Sequence, residues 1–437
     1  TLTPPEHQDW VKEQIITIAQ NDDSLAQAKR YCTSTYDFED ELFLGWYVLR
    51  GQKDFGLSHI QEYFPELYGY LTPFETLSIK QSQSWASEYF NQFRAAKIKD
   101  TITDTLADLL KQRNVSAESF YDWYFGFEES HGILADIVTT KKFPVDKVYW
   151  VDGLGAEFIP YILYLLDQSN SGYDAVLTQV ARTNIPSNTH LNSFEVDNKK
   201  IFKKEALDEL AHDGHYQKYL TLIKELKTVR QIIEDILNDN KVGKHTIAIV
   251  SDHGLSAMSR NCESLKLDSN TKHEGRYVLL DSDSGLEHDV NFVVHTNEYD
   301  GKKYKVALCH ASLGKKPTHE VHGGATPEEV LVPFIVITND DLAKPLTFAV
   351  KPKETSIPVS DKKVSFTIMP APQSATVIFN GQEIPLTKNG LQWEAMLSSA
   401  TEGKHQLTVM PFRGKPVQIE IEIYGMGFSS ALSDFEL

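Results

Sequence analysis

Two short apolar runs, each closing on an acidic residue, constrain this chain more than any other feature. His245 to Val250 leads into Ser251-Asp252-His253-Gly254, and Lys147 to Val151 leads into Asp152-Gly153-Leu154-Gly155. Apolar runs of this length bounded by turn residues read as buried strands. In an open α/β sheet, ligands bind beyond the carboxyl ends of the strands. A carboxylate at a strand end has a plain structural use as a turn or helix cap. Two of them, with an imidazole beside one, are better explained as ligands of a divalent metal.

The 437 residues suggest two or three domains, each long enough to bury a core. A formal net charge of −18 argues against general affinity for nucleic-acid backbone. The longest dense apolar stretch, Phe158 to Leu166, contains a proline and is too short to cross a bilayer, so no membrane partner is expected. Cys32, Cys262 and Cys309 are too widely spaced for a zinc knuckle or a disulfide framework. That usage fits a reducing, cytoplasmic setting.

Three regions follow from the patterning. Residues 1–143 read as helical, with an amphipathic stretch from Trp10 to Ala28 and a long one from Trp85 to Leu110. Ser116 is placed to cap a further helix, and the aromatics Phe120 to Phe125 read as a packing face. Residues 144–344 alternate strand-like and helical segments, which predicts an α/β domain with a mostly parallel sheet and helices on both faces. Its strands are expected at Lys147–Val151, Tyr173–Thr178, Thr246–Val250, Arg276–Leu280, Val290–Val294, Tyr304–Cys309 and Glu329–Thr338. Residues 345–437 carry short alternating runs separated by Asn380-Gly381, Asn389-Gly390, Glu402-Gly403 and Arg413-Gly414, which predicts a small β-sandwich and a loose tail from Phe428.

The chemistry-bearing residues of the middle region are Asp152, Thr189 in the loop Pro186-Ser187-Asn188-Thr189, Asp208 and His212, Asp252 and His253, and His322 before Gly323-Gly324. Asp208 and His212 share one face if helical. Imidazole and carboxylate suit a zinc-like ion, and two such ions can hold both sides of a phosphorus centre. Thr189 is the candidate nucleophile, since a metal activates a weak hydroxyl. For Thr189 the plain reading is a loop hydroxyl, and for Asp208 and His212 a solvated helix face. His190, His215, His273, His310 and His319 are candidate pocket histidines whose plain reading is a surface or hydrogen-bonded side chain. Arg182, Arg260 and Lys272 are candidate phosphate cations that spacing does not rank.

This ordered set resembles the alkaline phosphatase superfamily. Tyr149 to Gly155 and His322 to Pro333 are similar to the PglZ domain, the phosphatase-like component of bacterial BREX phage-defence systems. The helical region with Tyr89-Phe90 and Lys97, and the β-rich region, are similar to those of long PglZ proteins. The resemblance implies an alkaline-phosphatase-like catalytic domain and two divalent ions, zinc first, with manganese or magnesium as alternatives. It implies one metal site of Asp152, Thr189, Asp252 and His253 and another of Asp208, His212 and His322. It implies a phosphohydrolase acting on phosphate esters, with a nuclease or a non-catalytic scaffold of a defence complex as alternatives, and defence-system proteins as partners. The loop lacks the usual Pro-Thr-x-Thr form, so Ser187 and Thr183 compete with Thr189. The Asp208–His212 unit lacks an obvious preceding strand, so Asp213 and His215 compete as ligands.

Overall fold

A computed structural model describes residues 8–31, 37–52, 56–74, 83–140, 145–195, 200–267, 270–281, 288–341, 348–372, 374–412, 414 and 416–425. The expected boundaries at 143/144 and 344/345, Cys32, Arg413 and the tail from Phe428 lie outside these residues. The chain divides into two compact units, Thr1–Ile79 with Gln83–Ala343, and Lys80–Ser82 with Lys344–Leu437.

The larger unit is built on a five-stranded sheet of β1 (Lys147–Val151), β2 (Asp174–Arg182), β3 (Lys200–Lys204), β4 (Thr246–Val250) and β8 (Leu331–Thr338). The spatial order is β2-β8-β4-β1-β3. β1 runs parallel to β3 and β4, whereas β8 is antiparallel to β4 and to β2. Four strands therefore point one way, and β8 alone runs back between two of them, so the sheet is mixed.

Alternation along the strands separates two cores. Tyr149, Val151, Ile247, Ile249, Ile335 and Ile337 face one side and pack with Tyr161, Ile162 and Leu166 of the helix Ile159–Gln168 and with the apolar stripe of the helix Leu220–Asp239. Val148, Trp150, Ala248, Val250, Phe334 and Val336 face the other side and pack with Ile133, Leu134 and Ile137 of the helix Ser130–Thr140. Burial on both faces explains why β4 and β8 are near-continuous apolar runs. Truncating one such residue, Ile249→Ala for example, costs about 2–5 kcal/mol.

Three expectations need correction. β3 was not expected, yet it forms the sheet edge beside β1 and leads directly into the helix Ala206–His212. Its lysines suit an edge strand, where charge blocks further pairing, and they hide it from an apolar-run search. The segments at 276–280, 290–294 and 304–309 do not join the main sheet. As β5 (Tyr277–Leu280), β6 (Phe292–Thr296) and β7 (Lys303–Ala307) they form a separate antiparallel sheet ordered β5-β7-β6. The stretch Trp85 to Leu110 is two helices, Trp85–Lys99 and Asp104–Arg113, broken where Asp100 turns left-handed at φ 55° and Thr103 caps the second.

Residues before 143 and the central sheet share cores, so the helical region belongs to the same unit. Ser116 caps the helix Ala117–Gly126, and its Phe120, Trp123 and Tyr124 are buried in packing. The smaller unit holds a five-stranded and a four-stranded sheet whose inward residues, among them Phe366, Trp393, Val377 and Ile421, form one core.

Candidate metal centre

The strand directions explain how distant residues meet. β1, β2, β3 and β4 all deliver their carboxyl ends to one rim, and β8 begins there. Asp152 closes β1, Asp252 and His253 follow β4, and Asp208 sits on the helix after β3. Thr189 lies beyond β2, and His322 lies in the loop ahead of β8. Glycines permit the crowding. A Cβ on Gly254 would overlap the carbonyl oxygen of Glu328, and Gly323 turns at φ 106° against Tyr277.

Two groups of ligand atoms result: Asp152, Asp252 and His253, and Asp208, His253 and His322, each with its atoms within 4.8 Å of one another. His253 belongs to both. Its Nε2 lies 3.2 Å from Asp152 Oδ1, 3.5 Å from Asp252 Oδ2 and 3.9 Å from Asp208 Oδ1. Thr189 Oγ1 is 3.3 Å from the same nitrogen. His322 Nε2 lies 3.8 Å from Asp208 Oδ1, and its ring stacks on His253 with centroids 3.8 Å apart.

The second nitrogen of each ring settles its orientation. His322 Nδ1 is 3.0 Å from the carbonyl oxygen of Ser187, and His253 Nδ1 is 3.2 Å from that of Gly254. A carbonyl only accepts, so each Nδ1 donates and each Nε2 edge is turned to the carboxylates. Metal-binding histidines are fixed in this way. Among the described residues, no well-formed hydrogen bond reaches either oxygen of buried Asp252, nor Oδ1 of Asp152 or Asp208. Buried carboxylate oxygens that face imidazole edges and lack a well-formed hydrogen bond are the donor set a divalent cation satisfies.

The electrostatics match a cation-seeking site. Burial and the Asp152 charge outweigh the pull of His253 and raise the Asp252 carboxyl. Burial also opposes ionisation of Asp152, but His253 and Lys203 outweigh it and hold that carboxyl below its usual range. Burial disfavours charge on His253, yet Asp252, Asp152 and Asp208 raise it to about 9. His322 moves well below the usual histidine range through burial and the neighbouring His253.

All seven expected site residues come to this rim, with one regrouping. His212 is half exposed at the mouth, 3.5 Å from Asp208 Oδ1 and with its ring 5.3 Å from that of His322, and His253 takes its expected place beside Asp208 and His322. The helix buries Leu207 and Ala211 and turns Asp208 and His212 to the rim. Asp213 and His215 are exposed and belong to neither group among the described residues. Of the competing hydroxyls, Ser187 is committed to Gly324 O at 2.7 Å, and Thr183 is buried against Val330 O.

Of the candidate phosphate cations, Arg182 and Arg260 are engaged with other partners, and Lys272 stands in the turn beside His273. Arg182 bonds Glu129 and stacks on Tyr124, Arg260 bonds Asp100 and covers the Tyr216 ring, and Lys272 is exposed. Sequence reasoning missed Lys203, whose Nζ is 2.6 Å from Asp152 Oδ2. Its one signal was its place in the unrecognised β3. Of the other histidines, His273 sits beside His322 with ring centroids 4.3 Å apart, and His319 beside His212 at 5.7 Å. His310 is buried with Tyr89 and Glu328, and His190 and His215 are exposed.

No family model matches the chain, and no curated protein matches it. Among the solved structures that match, two align over part of the chain. The complex of Porphyromonas gingivalis RgpB pro- and mature domains is 14% identical over 26% of this chain and 24% of that one, with a TM-score of 0.16. The Bacteroides ovatus mixed-linkage glucan utilization locus SGBP-B, in complex with mixed-linkage heptasaccharide, is 10% identical over 39% of this chain and 44% of that one, with a TM-score of 0.13. Each alignment spans less than half of the solved chain, and scores this low establish no shared fold.

Proposed function

We propose that this rim is the centre of a metal-dependent phosphohydrolase of PglZ type, with an alkaline-phosphatase-like arrangement. The observation that carries the proposal is the position of the Thr189 hydroxyl, 3.3 Å from the His253 nitrogen that two carboxylate–histidine groups share. Asp152, Asp252, His253 and Thr189 would hold one divalent ion, and Asp208 and His322, with His253 shared and His212 at the mouth, a second, zinc suiting the mixed nitrogen and oxygen donors best. Such ions lower the pKa of a coordinated hydroxyl and offset charge on phosphoryl oxygens.

The chain's own groups do the rest. Thr189 loses its proton to solvent, and its oxygen bonds to phosphorus as the ester P–O bond breaks. The departing alkoxide takes a proton from water, and a second water cleaves the phosphothreonine to release phosphate. Lys203 keeps Asp152 ionised and oriented. Asn188, whose side chain accepts from Leu191 N at 3.0 Å, fixes the turn that presents Thr189.

The test is Asp252→Ala, assayed for metal content and for cleavage of a chromogenic phosphate monoester and diester, with single-stranded DNA in parallel. Loss of both metal and activity is expected. Activity retained in folded, metal-stripped protein would end this reading, and cleavage of DNA alone would move it to a nuclease.

A further inference from the structure

We infer that His273 is a substrate-contacting residue of this centre, donating a hydrogen bond to a phosphoryl oxygen held between Thr189 and His322. The assignment rests on the phosphohydrolase reading of the rim and extends it to a residue outside both ligand groups.

The first observation is position. The His273 ring lies 4.3 Å from that of His322, edge to face, and stacks on Tyr277 with centroids 5.4 Å apart. The Tyr277 side chain in turn meets Asn188, the residue before Thr189. His273 and Tyr277 thus link the His322 ring to the loop that carries Thr189. The ring is half-buried, and among the described residues no hydrogen bond engages either nitrogen. An imidazole has an N–H donor in every protonation state. A donor edge to face with His322 of the candidate metal centre, and without a protein acceptor among the described residues, is placed for an incoming anion.

The second observation is the backbone that holds it there. His273 at φ 45° and Glu274 at φ 52° are both left-handed, followed by Gly275 at φ 92°. Two consecutive non-glycine residues in that region are strained, and such strain persists only where the surroundings impose it. Here the turn is closed by backbone bonds between Lys272 and Tyr277 and anchored by Arg276. The guanidinium is fully buried, binds Glu329 through Nε at 2.8 Å and Nη2 at 2.6 Å, and reaches the carbonyls of His310 and Ala311. Glu329 also accepts from Gly324 N and from the amide and hydroxyl of Thr326. The turn carrying His273 and the loop carrying His322 are therefore pinned to one carboxylate. A hydrogen-bonded pair this buried fixes geometry, and the geometry fixed is the approach of the two histidines.

His273→Ala and His273→Asn test the assignment in the full chain loaded with zinc. Asparagine keeps a donor and tolerates the left-handed backbone. Three quantities are read: zinc per chain, inorganic phosphate affinity by calorimetry, and kcat and KM on a chromogenic aryl phosphate. The expected result is unchanged zinc in both variants, weaker phosphate binding in His273→Ala, and kcat/KM lower by roughly 10²-fold, the loss typical of one removed donor to developing charge. His273→Asn should recover part of both. Phosphate affinity and kcat/KM equal to wild type in His273→Ala would overturn the assignment alone. Loss of zinc in His273→Ala would overturn it in favour of a structural role. A zinc-loaded wild type that neither binds phosphate nor cleaves the ester would overturn it together with the phosphohydrolase reading.

Discussion

Lys97 Nζ lies 3.2 Å from Glu320 Oε1, and neither side chain is exposed to solvent. Lys97 comes from the helix Trp85–Lys99, and Glu320 stands just ahead of His322. The same ammonium is 3.1 Å from Glu157, in the turn after Asp152, and 2.8 Å from Glu225 on the helix Leu220–Asp239. One buried cation thus ties the helical region to segments flanking two ligand residues. Lys97→Met leaves three buried carboxyls without their counter-charge. Breaking a buried pair in this way costs about 3–5 kcal/mol. A matching drop in the urea midpoint, at unchanged slope, is the expected outcome.

Three carboxyls around one lysine cannot all stay ionised cheaply. Burial first, then the Glu320 charge, raises Glu225 well above its usual 4.5, against the pull of Lys97. A carboxyl raised on folding favours the fold below its unfolded value, and that contribution is lost as pH climbs toward the folded value. The Glu225 contribution to stability should therefore decline as pH rises above 4.5, and Glu225→Gln, which keeps the neutral shape, should remove that component of the slope. Chemical denaturation across the pH series checks it. A slope identical in Glu225→Gln and wild type would refute it.

Much of the rim was legible because its residues adjoin apolar strands. Asp152 and Asp252 stand at the ends of β1 and β4, and Asp208 and His212 keep helical spacing. What was hidden depends on edges and turns. β3 has only Ile201 and Phe202 between lysines, since an edge strand needs little apolar surface, so Lys203 went unseen. The run Glu329 to Thr338 reads like its parallel neighbours, because a strand buried on both faces carries no mark of direction. His273 was among the candidate pocket histidines, but the left-handed turn that brings it beside His322, without glycine at its first two positions, is invisible in local pattern. His253 serving both groups is likewise a property of converging loops.

The tether from His322 Nδ1 to Ser187 O predicts how metal affinity responds to mutation. Replacing His322 by Gln keeps much of its volume and removes the Nε2 lone pair facing Asp208. Losing a mere supporting hydrogen bond costs about 10–100-fold in metal affinity. Loss of a ligand should exceed that, and a chelator competition titration with zinc measures it. Affinity within a few-fold of wild type would remove His322 from the ligand set.

Metal uptake should be tied to a proton on His253. In the metal-free protein three carboxylates overcome burial and raise His253 to about 9, so at neutral pH its Nε2 carries a proton directed at Asp152. A cation requires that lone pair, so binding expels the proton. Apparent affinity should then climb with pH up to about 9. The stability sign runs the other way. A histidine raised on folding favours the metal-free fold fully below 6.5, and that contribution is lost as pH rises through about 9. Asp252→Asn removes the strongest of the attractions and should lower the histidine, shrinking both dependences. Calorimetric zinc titrations in two buffers of different ionisation enthalpy count the proton released. Zinc binding with no proton release at neutral pH would show that His253 is not displaced by the metal, and would take the shared ligand out of the centre.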